Sequence, residues 1–179
     1  MLDPAKGDCI VKEVDRLKII LADSSVAPQD KVEPLKFLVH FIGDAHQPLH
    51  TVLDAKGGLG ITVSFFTDPY RKQTGPTNLH VVWDTGLIRA KYWDWGAYVD
   101  YLETKWLPAQ NIAAIQSGTL IAWIADTHKL ANEIVEANVK DGDSLVEDYF
   151  ERASPALDDQ LGKAGLRLAG ILDTVFAEK

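Results

Sequence analysis

The sequence predicts a mainly α fold built as one domain, and three observations carry that prediction. The chain has 179 residues, 46% hydrophobic and 25% charged. That length suits one core in which roughly two-thirds of the unfolded surface is buried. Most of it is occupied by segments whose apolar residues recur at helical spacing. Strand-like composition, rich in β-branched and aromatic residues, is confined to one short run, Ile61 to Phe66. No internal repeat, low-complexity tract or linker interrupts these segments, and one helical domain over 1–179 is the simplest account.

Ile10 to Leu21 reads as an amphipathic helix with Ile10, Val14, Leu17 and Leu21 on its apolar face. Ala22 to Asp30 is a turn-rich loop. Asp30 is a plausible N-cap for the next helix, and Pro34 is tolerated only near a helix start. The segment 35–44 is apolar almost all round, which predicts a buried helix, and Pro48 ends it near Gln47. Asp54 to Gly60 is a glycine-rich loop, Ile61 to Phe66 a short strand or hairpin arm, and Asp68 to Thr77 a stretch of turn residues containing Gly75 and Pro76. A helix starts near Asn78 and runs through Trp83 towards Ala90. Helices then cover 96–106, 118–138 and 144–179, with Pro155 a candidate break in the last.

The net charge is −8. A protein that holds nucleic acid through Lys and Arg is usually basic. If this chain handles a polyanion, bound cations must supply the attraction; otherwise its acidity only favours solubility. Cys9 is the single cysteine, so no internal disulfide forms and the compartment is not fixed by cysteine usage. It reads as a small buried hydrophobe. No run of about 18 apolar residues suggests a membrane span. Residues 1–8 lack the apolar stretch of a signal peptide.

Five histidines stand at 40, 46, 50, 80 and 128, and the first four are interleaved with Asp44, Asp54 and Asp84. His40 and Asp44 are four apart, as are His80 and Asp84. That spacing stacks each pair on one helix face, where imidazole and carboxylate can grip one cation, zinc above all. A single pair of this kind is more often a hydrogen bond between two buried polar groups. Two pairs, with His46 and His50 beside the first, favour a metal, because Asp44 on so apolar a helix needs a partner or an ion. Three protein ligands would leave the open position that catalytic zinc requires; a structural site closed by a further ligand is the alternative. His128 reads as a surface or packing residue. The five tryptophans are core residues or, less commonly, a base-stacking platform. No P-loop, dinucleotide fingerprint or nucleophile elbow is present.

The strings His-Phe-Ile-Gly-Asp-Ala-His-Gln-Pro-Leu-His at 40–50, Asp-Ala-Lys-Gly-Gly at 54–58 and Asn-Leu-His-Val-Val-Trp-Asp at 78–84 resemble the zinc-dependent, single-strand-specific nucleases. That family has fungal, plant bifunctional and bacterial members, and it shares its helical fold with zinc-dependent phospholipase C. Weaker echoes are Gly-Asp-Cys at 7–9 and the stretch 164–172. The resemblance implies a helical phospholipase C/nuclease-like fold with a short β-hairpin or irregular insertion near 57–77. It implies a phosphodiesterase for single-stranded DNA or RNA and 3′-nucleotides, working by multi-metal phosphoryl chemistry. Of the family's three zinc ions, the closely spaced pair would take His40 and Asp44, with Asp44 the bridging, catalytic carboxylate. The third would take His50, His80 and Asp84. His46, Asn78 and Trp83 would orient these ligands.

Further family ligands for the paired site, an N-terminal Trp among them, precede the region matching 7–9, where this chain has only six residues. The resemblance therefore implies a version truncated at its N-terminus, with one complete zinc site, impaired catalysis and uncovered apolar surface on the central helix, favouring self-association. Leu59 replaces the usual Asn after the paired glycines, implying an altered loop. The family is secreted or periplasmic, and no stable membrane association is expected. Two alternatives stand beside the nuclease: a phospholipase C-like enzyme, and a catalytically inactive zinc-binding helical protein.

Overall fold

Helix α1 (Ile10–Ala22) buries Val14, Leu17 and Leu21, the three- and four-residue steps read from the sequence. They pack on Leu38 and Ile42 of α2 (Val32–Asp44) and on Val175 of the C-terminal helix α8 (Glu147–Phe176). Each fully buried Leu contributes roughly 1.5–3 kcal/mol, so this cluster holds the first and last described helices together. The structure is a computed structural model and describes residues 9–68, 70, 72–136 and 139–177. Gly7 and Asp8, and the expected ends of the helices at 137–138 and 178–179, lie outside the described residues.

The second core sits under a small sheet. Strand β1 (Thr62–Asp68) pairs antiparallel with β2 (Gln73–Asn78), Thr62 opposite Asn78 and Phe65 opposite Gly75. A two-residue strand β3 (Asp143–Ser144) joins β1 in parallel, giving the order β2-β1-β3. Alternate residues Val63 and Phe65 face inward and meet Leu49, Leu79, Val82, Leu87 and Leu157. Short helical pieces follow the hairpin: α3 (Leu79–Val81), a π-turn (Val82–Gly86) and α4 (Leu87–Lys91). Then come α5 (Trp95–Tyr101), a second π-turn (Leu102–Trp106), α6 (Ile112–Gln116) and α7 (Leu120–Glu136). Helix α8, with 30 residues, runs roughly 45 Å and touches both cores.

Five local expectations need correction. Helix α2 is not buried all round: Leu38 and Ile42 are, but Phe37 and Val39 are exposed, because α1 and α8 cover only one face. Asp30 does not cap it; the cap position is Lys31, after a short 3-10 turn at Pro28–Lys31. The turn-like stretch ending at Thr77 is largely strand β2. It lies at the sheet edge, where the missing N–H of Pro76 is tolerated. Pro155 does not break α8; Ser154 Oγ donates to the Phe150 carbonyl (2.7 Å) one turn back, and buried Ala153 and Leu157 hold the helix on either side. Cys9 is only half-buried, at the N-cap of α1.

Candidate metal centre

The site is built by a tight reversal after α2. The helix ends at Asp44, and the backbone closes two turns, from His46 N to the Gly43 carbonyl (2.9 Å) and from Gln47 N to the Asp44 carbonyl (3.1 Å). Gln47 then caps a 3-10 turn, Pro48–Thr51, its Oε1 accepting from Leu49 N. Pro48 at the first turn position loses nothing, since that N–H would be orphaned anyway. The reversal folds His50 back on α2, with Nδ1 3.3 Å from Asp44 Oδ1. Its other nitrogen, Nε2, is 3.3 Å from Asp84 Oδ1.

Asp84 arrives from across the hairpin. Asn78 closes β2 and caps α3, its side chain accepting from Val81 N at 2.9 Å. That fixes the turn bearing His80, whose Nε2 is 3.3 Å from Asp84 Oδ2, one turn on. Asp84 lies in the π-turn, a local widening often found at functional sites. The His50 and His80 rings stack, centroids 5.0 Å apart. His80 Nδ1–H donates to the Gly57 carbonyl at 2.7 Å, leaving its Nε2 lone pair turned to the cluster. Gly57 can hold that carbonyl there because its φ is +64° and a Cβ would stand 2.6 Å from the Leu49 carbonyl oxygen.

His50, His80 and Asp84 each offer one ligand atom, and these atoms all lie within 4.8 Å of one another. Their side chains are 28%, 18% and 34% exposed, so the cluster opens to solvent on one side. Two imidazoles and one carboxylate match the donor set of a zinc ion with an open fourth position. The backbone carbonyl on His80 Nδ1 is the outer partner that ligating histidines usually have. The residues present therefore fit a metal. His40, 62% exposed, adds its Nε2 3.2 Å from Asp44 Oδ2; a chain of close contacts runs His40, Asp44, His50, Asp84, His80.

All five residues expected to hold metal thus converge, and Asn78 stands beneath His80. His46 and Trp83 are placed differently. His46 is buried and bonds to no member of the cluster: Nδ1–H donates to the Ile42 carbonyl (2.7 Å), and Nε2 accepts from Arg167 Nη1 (2.8 Å). Burial, abetted by the charges of Arg167 and Lys163, pushes its pKa down to about 4. Trp83 donates through Nε1 to Tyr149 Oη at 2.9 Å, and burial pushes the Tyr149 hydroxyl up to about 12. The indole of Trp83 walls a cavity of about 390 Å3, which is also lined by Asp44, Gln47, His50, Asp84 and Leu157. Trp106 and Trp123 likewise donate inward, to Asp159 Oδ1 and the Ser117 carbonyl, whereas Trp93 and Trp95 are exposed.

Three contributors escaped the sequence. Gln47 Nε2 donates to Asp84 Oδ1 at 2.6 Å, across 37 positions. Gly57 acts through its carbonyl, and His128 of α7 donates from Nδ1 to the Thr51 carbonyl (2.9 Å), tying down the turn beside His50. The Gln47 signal lay inside the recognised 40–50 string; the other two depend on tertiary approach alone.

A sequence profile of the family described as S1/P1 nuclease matches residues 2–177. The chain belongs to the S1/P1 nuclease family. Among its S1/P1 relatives, nuclease P1 of Penicillium citrinum is 30% identical over 198 residues, covering 99% of this chain and 70% of the relative. Nuclease PA3 of a Penicillium species is 30% identical, with 99% and 70% covered. Endonuclease 4 of Arabidopsis thaliana is 34% identical over 169 residues, with 82% and 52% covered. The chain thus spans between half and about seven-tenths of the length of these S1/P1 relatives. The expected mainly helical nuclease-like architecture, with its hairpin at 62–78, is the one observed.

Proposed function

We propose that this chain is a zinc-dependent phosphodiesterase acting on single-stranded DNA or RNA and on 3′-nucleotides. The observation that carries the reading is the convergence of His50, His80 and Asp84 within 4.8 Å in a member of the S1/P1 nuclease family. Relatives bear the names nuclease and endonuclease. In this reading His50, His80 and Asp84 would hold one zinc, and His40 and Asp44 would contribute to an adjacent position, with Asp44 as the catalytic carboxylate. Zinc bound here would supply Lewis acidity to a phosphoryl oxygen. The chain's own residues do the rest. Gln47 and the Gly57 carbonyl fix the orientation of Asp84 and His80, Asn78 holds the helical turn beneath them, and the indole of Trp83 forms an apolar wall beside the carboxylates.

A local cation also answers the charge problem. With a net charge of −8, the surface as a whole repels a polyanion, and a metal held by these residues would supply positive charge where the phosphodiester must sit. Among the described residues no helix is long and apolar enough to cross a membrane; separately, the family resemblance leads us to propose a secreted or periplasmic protein.

Two measurements test the reading together: zinc per chain by elemental analysis, and hydrolysis of single-stranded DNA, duplex DNA and a phosphatidylcholine analogue. At least one zinc and selective loss of the single strand are expected. Hydrolysis of the phospholipid alone would instead establish the phospholipase C-like alternative. One zinc with no hydrolysis would establish an inactive zinc-binding protein, and no zinc would refute the metal reading.

A further inference from the structure

Asp44, Gln47 and His50 all belong to the reversal after α2, so the shape of seven residues sets three corners of the cluster. Its buried residues are Ala45, His46, Pro48 and Leu49. Three of these are apolar and grip without direction. His46 is the polar one, and both its ring nitrogens are committed: Nδ1–H to the Ile42 carbonyl, Nε2 to Arg167 Nη1, 121 positions away on α8. Arg167 is 7% exposed and itself fixed from two more sides. Its Nε donates to the Ile115 carbonyl (3.0 Å), and its guanidinium lies 4.8 Å from the Trp123 ring centroid. Trp123 is held in turn by its own donation to the Ser117 carbonyl (2.8 Å). The 164–172 stretch, an unexplained echo in the sequence, thereby acquires a contact with the metal-bearing turn.

We infer that Arg167 is a positioning residue for the metal centre: it latches His46, and through His46 the Asp44–His50 reversal, to α8, to α6 at the Ile115 carbonyl and to α7 at the Trp123 ring. This rests on the proposed metal reading. The guanidinium is suited to the task because it is planar, permanently charged and presents several donors at fixed angles. The guanidinium lies over the indole while two N–H groups reach acceptors on different elements. Lysine keeps the charge and loses the fork. Without the latch the buried Nε2 of His46 has no donor, and the imidazole must turn to find one, taking the backbone between Asp44 and Gln47 with it. Gln47 then loses its aim on Asp84, and the separations among Asp44, His50 and Asp84 relax together.

The test measures zinc affinity by chelator competition, with the absorption spectrum of the cobalt-substituted protein as a report on coordination geometry. Wild type, Arg167→Met, Arg167→Lys and Leu21→Ala are compared, each with its thermal midpoint. Leu21 is buried at the end of α1, where its carbonyl accepts from Lys31 Nζ (2.8 Å) at the start of α2, the opposite end of that helix from the reversal, and it controls for loss of stability alone. Arg167→Met is expected to bind zinc about tenfold more weakly and to change the cobalt spectrum, as removal of supporting partners does; Arg167→Lys is expected in between. Leu21→Ala should lower the midpoint and leave both metal readouts unmoved. Should Arg167→Met not fold, Arg167→Lys against Leu21→Ala decides. Zinc affinity in the Arg167 variants within twofold of wild type, or equally weakened in Leu21→Ala, overturns the inference. A wild type that binds no zinc overturns the metal reading itself, and the latch with it.

Discussion

Two glycines share a left-handed backbone and differ in what surrounds them. Gly57 has φ +64° and its missing Cβ would stand 2.6 Å from the Leu49 carbonyl oxygen and 3.6 Å from His80 Nδ1. Gly142 has φ +89° with nothing within 4 Å. Alanine at either position pays the left-handed penalty of about 1–2 kcal/mol. At Gly57 the contact must also open from 2.6 Å to the 3.4 Å or more of ordinary packing. The atom in the way is backbone, on the turn that carries His50, so it cannot swing aside. The displacement falls on a loop whose carbonyl accepts from His80 Nδ1 at 2.7 Å, and losing that bond costs about 1–3 kcal/mol more.

Gly142→Ala should therefore lower stability by about 1–2 kcal/mol in urea denaturation. Gly57→Ala should lower it by about 2–5 kcal/mol. Zinc affinity separates them further. Gly57→Ala releases the outer partner of His80 and should weaken binding by about 10–100-fold, while Gly142→Ala leaves it unchanged. Equal denaturation midpoints and equal zinc affinities for the two variants would refute the argument that the Gly57 carbonyl orients His80.

Three other perturbations are open to measurement. The pKa of His46 falls from 6.5 unfolded to about 4 folded. Between these values the unfolded chain binds the extra proton, so stability drops as pH is lowered through that window and is fully present above 6.5. The loss approaches roughly 3 kcal/mol, read as the difference in urea stability between metal-free wild type and His46→Gln at pH 4 and pH 7; parallel pH profiles would count against it. Asp158 is buried and accepts from Lys91 Nζ (2.7 Å), Tyr98 Oη (2.6 Å) and Tyr101 Oη (3.3 Å). Asp158→Asn strands a mostly buried ammonium and should cost about 3–5 kcal/mol; a loss below about 1 kcal/mol, the scale of an exposed ion pair, would contradict its burial. Gln47→Leu removes the 2.6 Å bond to Asp84 and should weaken zinc binding about tenfold with an unchanged circular dichroism spectrum; unaltered affinity would dismiss Gln47 as a support.

The helices were legible wherever one face is apolar. Val14, Leu17 and Leu21 in α1 mark a periodicity that needs no knowledge of the partner. Helix α2 was misread because an all-round apolar sequence gives no direction: which face is covered depends on where α1 and α8 lie. Strand β2 was hidden for a different reason. Gly75 and Pro76 carry turn propensity, and only the pairing with β1 overrides it. In the site, the metal-ligand candidates were visible because chemistry at i, i+4 is a local property, whereas the Gly57 carbonyl and the Arg167 guanidinium act across 23 and 121 positions.

The same division explains how the centre is held. Asp44 and His80 stand on helices or their ends, but His50 and Gln47 stand on a reversal with little regular structure, and a reversal is stiff only if its surroundings make it so. Here three separate elements close on it. The loop at Gly57 approaches His80 and the Leu49 carbonyl, α7 reaches the Thr51 carbonyl through His128, and α8 reaches His46 through Arg167. The His128 and Arg167 tethers are single hydrogen bonds, each of which in an exposed loop would contribute only about 0.5–1.5 kcal/mol, and the Gly57 loop adds a close backbone approach. Acting from three directions they restrict the reversal in a way that no pair does, which is the condition a ligand set spread over two distant segments must meet to present its donor atoms at zinc-like separations. Cutting one tether should therefore loosen the metal geometry more than it lowers global stability, and cutting two should weaken zinc binding by more than the product of the single effects. A double-mutant cycle on Arg167→Met and His128→Ala measures this coupling. Strictly multiplicative zinc affinities would show that the tethers act independently and that the reversal is rigid by its own sequence.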